Sequence, residues 1–325
     1  MISDSVGVVI IGRNEGERLV RCLSSIDFSE YSVVYVDSGS TDGSIGAARG
    51  RGAVVVNLDL TRPFTAGRAR NEGFAALRAL RPQLQYVQFI DGDCELVDGW
   101  MRAALSFMEQ RKDVAVVCGR RRERSPDASV YNRLCDIEWN TPIGEASRCG
   151  GDSLMRVDAF AAAGGFQPTL MAGEEPELCS RLRADGWKIW RLDKEMTRHD
   201  AAMTRFGQWW MRAIRSGYGY ADVAWSHRAS PSYTYRREIF STVFWGGILP
   251  ALIVLGTFID ASALALVSIY PLQIGRIAFR RGPTLSDSWA YAWFMMLGKF
   301  AALYGLFKWA QARLANKSAA SIEYK

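Results

Sequence analysis

Asp91 and Asp93 are two carboxylates two residues apart, in Phe89-Ile90-Asp91-Gly92-Asp93, directly after a run that reads as a β-strand. Hard divalent cations such as Mg²⁺ and Mn²⁺ take oxygen ligands and commonly share them with substrate phosphates, so the pair at a strand end could hold a metal and a diphosphate together. An isolated Asp-Gly-Asp is also an ordinary solvated turn, and position therefore carries the argument. A second acidic element, Asp37-Ser-Gly-Ser-Thr-Asp42, also follows a strand-like run. Asp42 reads as the cap of the next helix. Asp37, as the last residue of a strand at the carboxyl edge of a sheet, is expected to point into the ligand crevice, where it can accept hydrogen bonds from the N–H and ribose hydroxyls of a nucleoside.

These side chains need a sheet to position them. The runs 6–11, 32–36 and 53–56 are apolar or β-branched and are separated by segments of helical spacing. Such alternation predicts βαβ units and an α/β fold with a mostly parallel sheet. Residues 86–90 and 114–118 read as further strands around a helical segment at Trp100 to Glu109, and Trp187 to Leu192 reads as another. Each early strand ends in polar, glycine-containing sequence, which is where open α/β sheets bind ligands.

Taken in order, Gly12-Arg13-Asn14-Glu15, Asp37-Ser-Gly-Ser-Thr-Asp42, Gly67-Arg-Ala-Arg-Asn-Glu-Gly73 and Asp91-Gly-Asp93 resemble the GT-A fold of family-two inverting glycosyltransferases over roughly residues 6 to 225. The resemblance implies that Asp37 contacts the nucleobase, that Asn14, Arg70 and Asn71 lie near the nucleotide, and that Asp91 and Asp93 hold its diphosphate through Mg²⁺ or Mn²⁺. This chain has Asp-Ser-Gly-Ser where Asp-Asp-Gly-Ser is commoner, which keeps Asp37 and removes a neighbouring carboxylate. Cys149-Gly-Gly-Asp-Ser-Leu-Met-Arg156, with Gly164-Gly-Phe166 beyond it, resembles the glycine-rich segment beside the donor sugar, which puts Gly151 at the donor. The local alternative is a tight turn before a helix.

Gly173-Glu174-Glu175-Pro176 resembles the family's acidic pair that opens a helix and supplies the catalytic base. Inverting transfer needs a carboxylate to take the acceptor hydroxyl's proton while the departing diphosphate is stabilised. By register Glu175 is the base and Glu174 its partner, although Glu replaces the usual Asp and the longer arm leaves the choice open. Two acids opening a helix also suit its dipole without any chemistry. His199, one of two histidines, resembles the late histidine that some GT-A enzymes use as a metal ligand, against a purely structural role. Gln208-Trp-Trp-Met-Arg212 is similar to the QxxRW element of processive synthases, but its Arg comes one residue late, which argues against processive polymerisation. Trp209 and Trp210 are expected instead at headgroup depth on an amphipathic helix.

From about Ile239 the composition changes. Residues 239–259 carry no charge over 21 positions, close to the ~20 a membrane-spanning helix needs. Residues 261–275 add a shorter uncharged stretch, and 289–309 form a third apolar region interrupted by Lys299 and Lys308. Arg236 and Arg237 before the first run, and Arg276, Arg280 and Arg281 after the second, predict a hairpin with cytoplasmic flanks. The expected division is a GT-A domain at 1–230 and a membrane-associated helical region at 231–325. Met1 to Ser5 has no basic leader, so the first domain is expected on the cytoplasmic face of the plasma membrane. Six scattered cysteines without zinc-like spacing read as reduced thiols.

Lys and Arg outnumber Asp and Glu by 40 to 34 without forming a stripe interleaved with aromatics, which argues against a nucleic-acid partner. The expected partners are a nucleotide-sugar donor, UDP-linked by the resemblance, and a lipid-linked or glycolipid acceptor at the membrane. A sugar-1-phosphate nucleotidyltransferase would need a glycine- and lysine-rich phosphate loop after the first strand, and Gly12-Arg-Asn-Glu is not one. A non-catalytic membrane nucleotide sensor is the remaining alternative, separable by whether Asp93→Ala abolishes turnover.

Overall fold

The computed structural model describes residues 5–227, 235–282, 284 and 286–315. Strands β1 (Val6–Gly12), β2 (Ser32–Asp37) and β3 (Val54–Asn57) lie parallel, with crossovers through α1 (Glu17–Ser24) and α2 (Ser44–Gly50). After α3 (Ala66–Leu80) the chain returns on the other side of β1 as β4 (Tyr86–Asp91), again parallel. β1 is thus central and apolar on both faces. Val8 and Ile10 enter one core with α1, while Val9 and Ile11 enter the other with α3. Side chains alternate along a strand, so a continuous apolar run feeds both layers.

Beyond β4 the sheet becomes mixed. A short β5 (Cys94–Leu96) and α4 (Trp100–Gln110) lead into β6 (Val114–Glu123), followed by α5 (Val130–Glu138), β7 (Gly144–Ala146), β8 (Ser153–Arg156), α6 (Val157–Ala162), α7 (Glu174–Ala184) and β9 (Lys188–His199). The order is β3-β2-β1-β4-β8-β6-β9-β5, with β7 on β9, and β8 runs antiparallel to both of its neighbours. The glycine-rich turn therefore leads into an inserted strand before the helix. β9 continues to His199, past the expected end at Leu192, with its register against β6 shifted at three places.

Clustering of contacts divides the chain into two compact units, Met1–Ser125 with Cys135–Ala202 and Pro126–Leu134 with Met203–Lys325. The expected boundary at 230/231 and the N-terminal residues 1–4 lie outside the described residues. The second unit contains α8 (Phe206–Ser226), α9 (Arg236–Val243), a π-helical turn, α10 (Leu249–Thr257), a 3₁₀ segment, α11 (Ile269–Arg281) and α12 (Ser286–Leu314). Arg236–Thr257, Ala261–Arg281 and Ser286–Leu314 are each long and apolar enough to cross a membrane. The second run is longer than its uncharged core suggests because a 3₁₀ segment at Ala261–Ser268 continues directly into α11. Phe258 and Ile259, between the first two runs, and Leu272 and Phe307, within the second and third, are exposed.

α8 and α12 meet with almost no side chain between them. A Cβ on Gly217 would land on the Ala302 carbonyl, and one on Gly305 would land on the carbonyl of Ile214. Trp209 is buried against Phe294, 4.9 Å between ring centroids, and so is not a headgroup anchor. Its indole fills the space over Gly298, which has no side chain. Gly217→Leu and Gly305→Leu should each force the helices apart and lower stability by at least about 2–3 kcal/mol, as overpacking does. Thermal unfolding in detergent checks this, with Gly275→Leu as the benign control because open space surrounds that position.

Candidate active site

The carboxyl ends of the parallel strands are in register. Gly12 pairs with Asp37 and Ile11 with Asp91, so the ends of β2 and β4 flank the end of β1. Asn14 adopts φ 54°, donates its N–H to Ser40 Oγ at 2.9 Å and accepts the Thr41 N–H on Oδ1 at 2.7 Å. Asp37 is 2% exposed and accepts N–H groups from Gly39 and Ser40 and the hydroxyl of Tyr35. Both side chains thus build the loops at this edge. Asp42 accepts the Ser44 N–H at 2.9 Å from one position before the N-cap, Gly43, so it braces the turn into α2 and is not the cap expected from the sequence.

Arg70, on the first turns of α3 and 3% exposed, joins two of the expected site carboxylates. Nη2 donates to Asp91 Oδ1 and Nη1 to Glu174 Oε1, both at 2.6 Å. On the other side, Arg121 of β6 lies 3.7 Å from Asp91 and 2.8 Å from Asp152. Asp152 is fully buried and also accepts the Asp91 N–H at 3.0 Å and the Thr197 hydroxyl at 2.8 Å. A Cβ on Gly151 would sit 2.9 Å from Asp91 Oδ2 and 3.0 Å from Arg70 Nη2, so this close approach requires glycine.

Burial pushes the Asp91 carboxyl up, but Arg70 and Arg121 outweigh it and hold the group below its ordinary range. A carboxyl lowered in the folded state contributes stability above its unfolded pKa, about 3.9, and loses it as pH falls through the lowered folded value. The melting temperature should therefore drop on acidification below about pH 4, and Arg70→Met should flatten that dependence. The same variant strands Asp91 and Glu174 and should cost about 3–5 kcal/mol at neutral pH, read by denaturant unfolding.

Asp93 and His199 come together across more than a hundred residues because β5 pairs antiparallel with the end of β9, Cys94 opposite His199. His199 Nε2 is 3.5 Å from Asp93 Oδ2, and Nδ1 is 3.8 Å from Glu123 Oε2. Trp139 packs edge-on against the imidazole at 4.8 Å and also underlies the Arg121 guanidinium. The donor atoms of Asp93, Cys94 and His199 lie within 4.8 Å of one another, as do those of Asp91, Cys94 and Asp152. The expected ligands Asp91, Asp93 and His199 are thus distributed over two adjoining groups that share Cys94.

Asn71 turns away from this cluster. Its side chain donates to the Phe166 carbonyl at 2.7 Å and accepts the Phe166 N–H at 2.9 Å, clamping the Gly164-Gly165-Phe166 loop. Arg181 of α7 holds the same loop through the carbonyls of Ala163 and Gly165. α7 begins behind Gly173 in the left-handed region, and its first residues are the two glutamates. Glu174 meets Arg70, while Glu175, 7% exposed, accepts the Cys149 N–H at 2.5 Å and lies 3.3 Å from Cys179 Sγ, both on Oε1.

Arg121, Asp152, Glu123 and Cys94 are the members that sequence reasoning passes over. Arg121 sits in the run Gly119-Arg-Arg-Arg-Glu-Arg124, which looks like solvated charge, and the alternation of faces along β6 is what turns it inward. Asp152 lies inside the quoted glycine-rich segment, where an acid followed by an apolar strand is a usable signal.

Residues 7–165 match the family described as Glycosyl transferase family 2. The chain is 25% identical over 260 residues to Glycosyltransferase AglE of Haloferax volcanii, covering 75% of this chain and 81% of that protein. Among solved structures, it superposes on the mannosyltransferase PcManGT from Pyrobaculum calidifontis, in complex with GDP-Man and Mn²⁺, with TM-score 0.57 and 16% identity over 92% of this chain and 86% of that one. It also superposes on S. aureus TarS with TM-score 0.50 and 12% identity over 92% of this chain, spanning 55% of the length of TarS. The mixed sheet with its central β1, the ordered acidic strand ends and these matches agree on one assignment: residues 7–165 carry a Glycosyl transferase family 2 domain, on a GT-A-like fold.

Proposed function

We propose that the enzyme transfers one sugar, with inversion, from a nucleoside diphosphate sugar to a lipid or lipid-linked saccharide acceptor at the cytoplasmic face of a membrane, in polysaccharide or glycolipid assembly. The observation that supports this most is the Arg70 guanidinium, which ties Asp91 of the Asp-Gly-Asp element to Glu174 at the head of α7. The donor's phosphates and the acceptor's base then belong to a single site.

Asp93 and His199 offer an oxygen and a nitrogen 3.5 Å apart, with Asp91 next to them, a donor set that fits Mg²⁺ or Mn²⁺. Such a cation supplies positive charge to the departing diphosphate. Arg70 and Arg121 keep Asp91 ionised, and Gly151 keeps a side chain out of the space beside it. Asp37 and Asn14 shape the loop in which the nucleoside rests, uridine being the expected base. Glu175 acts as the base: among the described residues it has no ion pair, both its contacts fall on Oε1, and Oε2 is left to take the hydroxyl proton. Glu174, committed to Arg70, positions the head of the helix. The three apolar helices hold the chain at the membrane and raise the effective concentration of the acceptor head group.

The test uses the intact chain in lipid nanodiscs, because removing everything past Arg237 would strip α8 of α12. Incubation with a panel of nucleotide sugars and Mn²⁺ should release nucleoside diphosphate from one of them, faster when a polyprenyl phosphate or glycolipid is present. Anomeric NMR of the product should show the inverted configuration. Binding without turnover for every donor would make the chain a sensor, and pyrophosphate release from a nucleoside triphosphate and a sugar phosphate would make it a nucleotidyltransferase.

A further inference from the structure

Two cysteines that the chemistry described above does not use meet one residue that it does. Cys149, in the loop before β8, and Cys179, on α7, bring their sulfurs to 3.6 Å, and Cys179 Sγ is 3.3 Å from Glu175 Oε1. The donor atoms of Cys149, Glu175 and Cys179 lie within 4.8 Å of one another. Glu175 and Cys179 are spaced i,i+4 on one helix and share a face, which fixes two of the three donors on a rigid element. Cys179 is fully buried and Cys149 partly exposed, so the group is walled on the helix side and open on the loop side.

We propose that Cys149, Cys179 and Glu175 form a binding site for a thiophilic divalent cation of the Zn²⁺ or Cd²⁺ class, and that its occupancy inhibits transfer. A tetrahedral ion with Zn–S of ~2.3 Å and Zn–O of ~2.1 Å holds two sulfurs ~3.8 Å apart and a sulfur and an oxygen ~3.6 Å apart. The observed 3.6 and 3.3 Å require outward shifts of only a few tenths of an ångström. Binding is ligation without redox chemistry: each thiol releases one proton to solvent, two thiolates and one carboxylate coordinate the ion, and water completes the shell. The soft sulfurs separate this site from the oxygen-rich group at Asp91, because thiolates select Zn²⁺-like ions over Mg²⁺ and Mn²⁺. Inhibition follows because the ion takes the carboxylate that accepts the acceptor's proton, and in this it rests on the reading of Glu175 as the base.

Cd²⁺ is the probe, since cadmium–thiolate bonds absorb in the ultraviolet. The full chain in nanodiscs is titrated with Cd²⁺ under a non-thiol reductant, with Mg²⁺ and nucleoside diphosphate saturating. One equivalent should produce a two-thiolate band that Cys149→Ser and Cys179→Ser each diminish and Cys94→Ser leaves intact. No band, or a band that survives in Cys179→Ser and vanishes in Cys94→Ser, overturns the site. Transfer by the parent chain should fall at least tenfold as the band grows, whereas Cys179→Ser, measured against its own uninhibited rate, should keep its turnover at the same Cd²⁺. A band at the pair with undiminished transfer leaves the cation site standing and removes Glu175 as the base, so the two ideas fail separately.

Discussion

Asp93→Asn is expected to slow sugar transfer by about 10²–10⁴-fold, the range lost when a group that stabilises developing phosphate charge is removed. The size follows from the place of Asp93. Its carboxylate faces His199 and, among the described residues, makes no ion pair with Arg70 or Arg121, which tie the strand ends together. Folding should therefore change little, and the melting temperature of the variant should stay within a few degrees of the parent. Raising Mn²⁺ should recover part of the rate, because a weakened ligand set binds more weakly without losing its remaining donors. Steady-state release of nucleoside diphosphate at several Mn²⁺ concentrations checks both statements. A variant with parental turnover at ordinary Mn²⁺ would remove Asp93 from the metal site. Asp91→Asn is the contrasting case, since it also strands Arg70 and should lose stability along with rate.

Glu175→Gln should lower kcat by about 10²–10⁴-fold, the worth of a positioned general base, with KM little changed. Glutamine preserves the oxygen that accepts the Cys149 N–H, so the loop has no reason to move. Glu174→Gln behaves differently. It breaks the ion pair to Arg70, so the main effects should be a lower melting temperature and a higher KM, with kcat largely retained. If kcat collapses in Glu174→Gln and persists in Glu175→Gln, the two roles are exchanged.

The parallel half of the sheet was readable because β1, β2 and β4 run six or seven largely apolar residues, the shorter β3 is a run of valines, and helical spacing separates them. β5, β7 and β8 were not, since three or four residues of mixed polarity display neither an alternation nor an apolar run. β8 shows this well: Ser153–Arg156 follows two glycines that signal a turn, and only its antiparallel place between β4 and β6 makes it a strand. The meeting of Asp93 with His199 is tertiary, set by the pairing of β5 with β9, and no local pattern announces it. Asn71 illustrates the opposite difficulty, because a polar residue next to Arg70 in a quoted motif is spent on the backbone of Phe166. Among the apolar C-terminal helices, hydropathy located all three regions, while the burial of Trp209 needed the absent side chain of Gly298 to become visible.

Main chain touching main chain at Gly217 and Gly305 gives the C-terminal helix an index as well as an attachment. Two helices cushioned by long side chains can slip by a residue or rotate a little and repack, but a pair seated on its own carbonyls has a single phase. The last helix is therefore a matched part. A foreign membrane segment of the same length and greasiness would tether the chain and still leave α8 without the surface it is cut to fit.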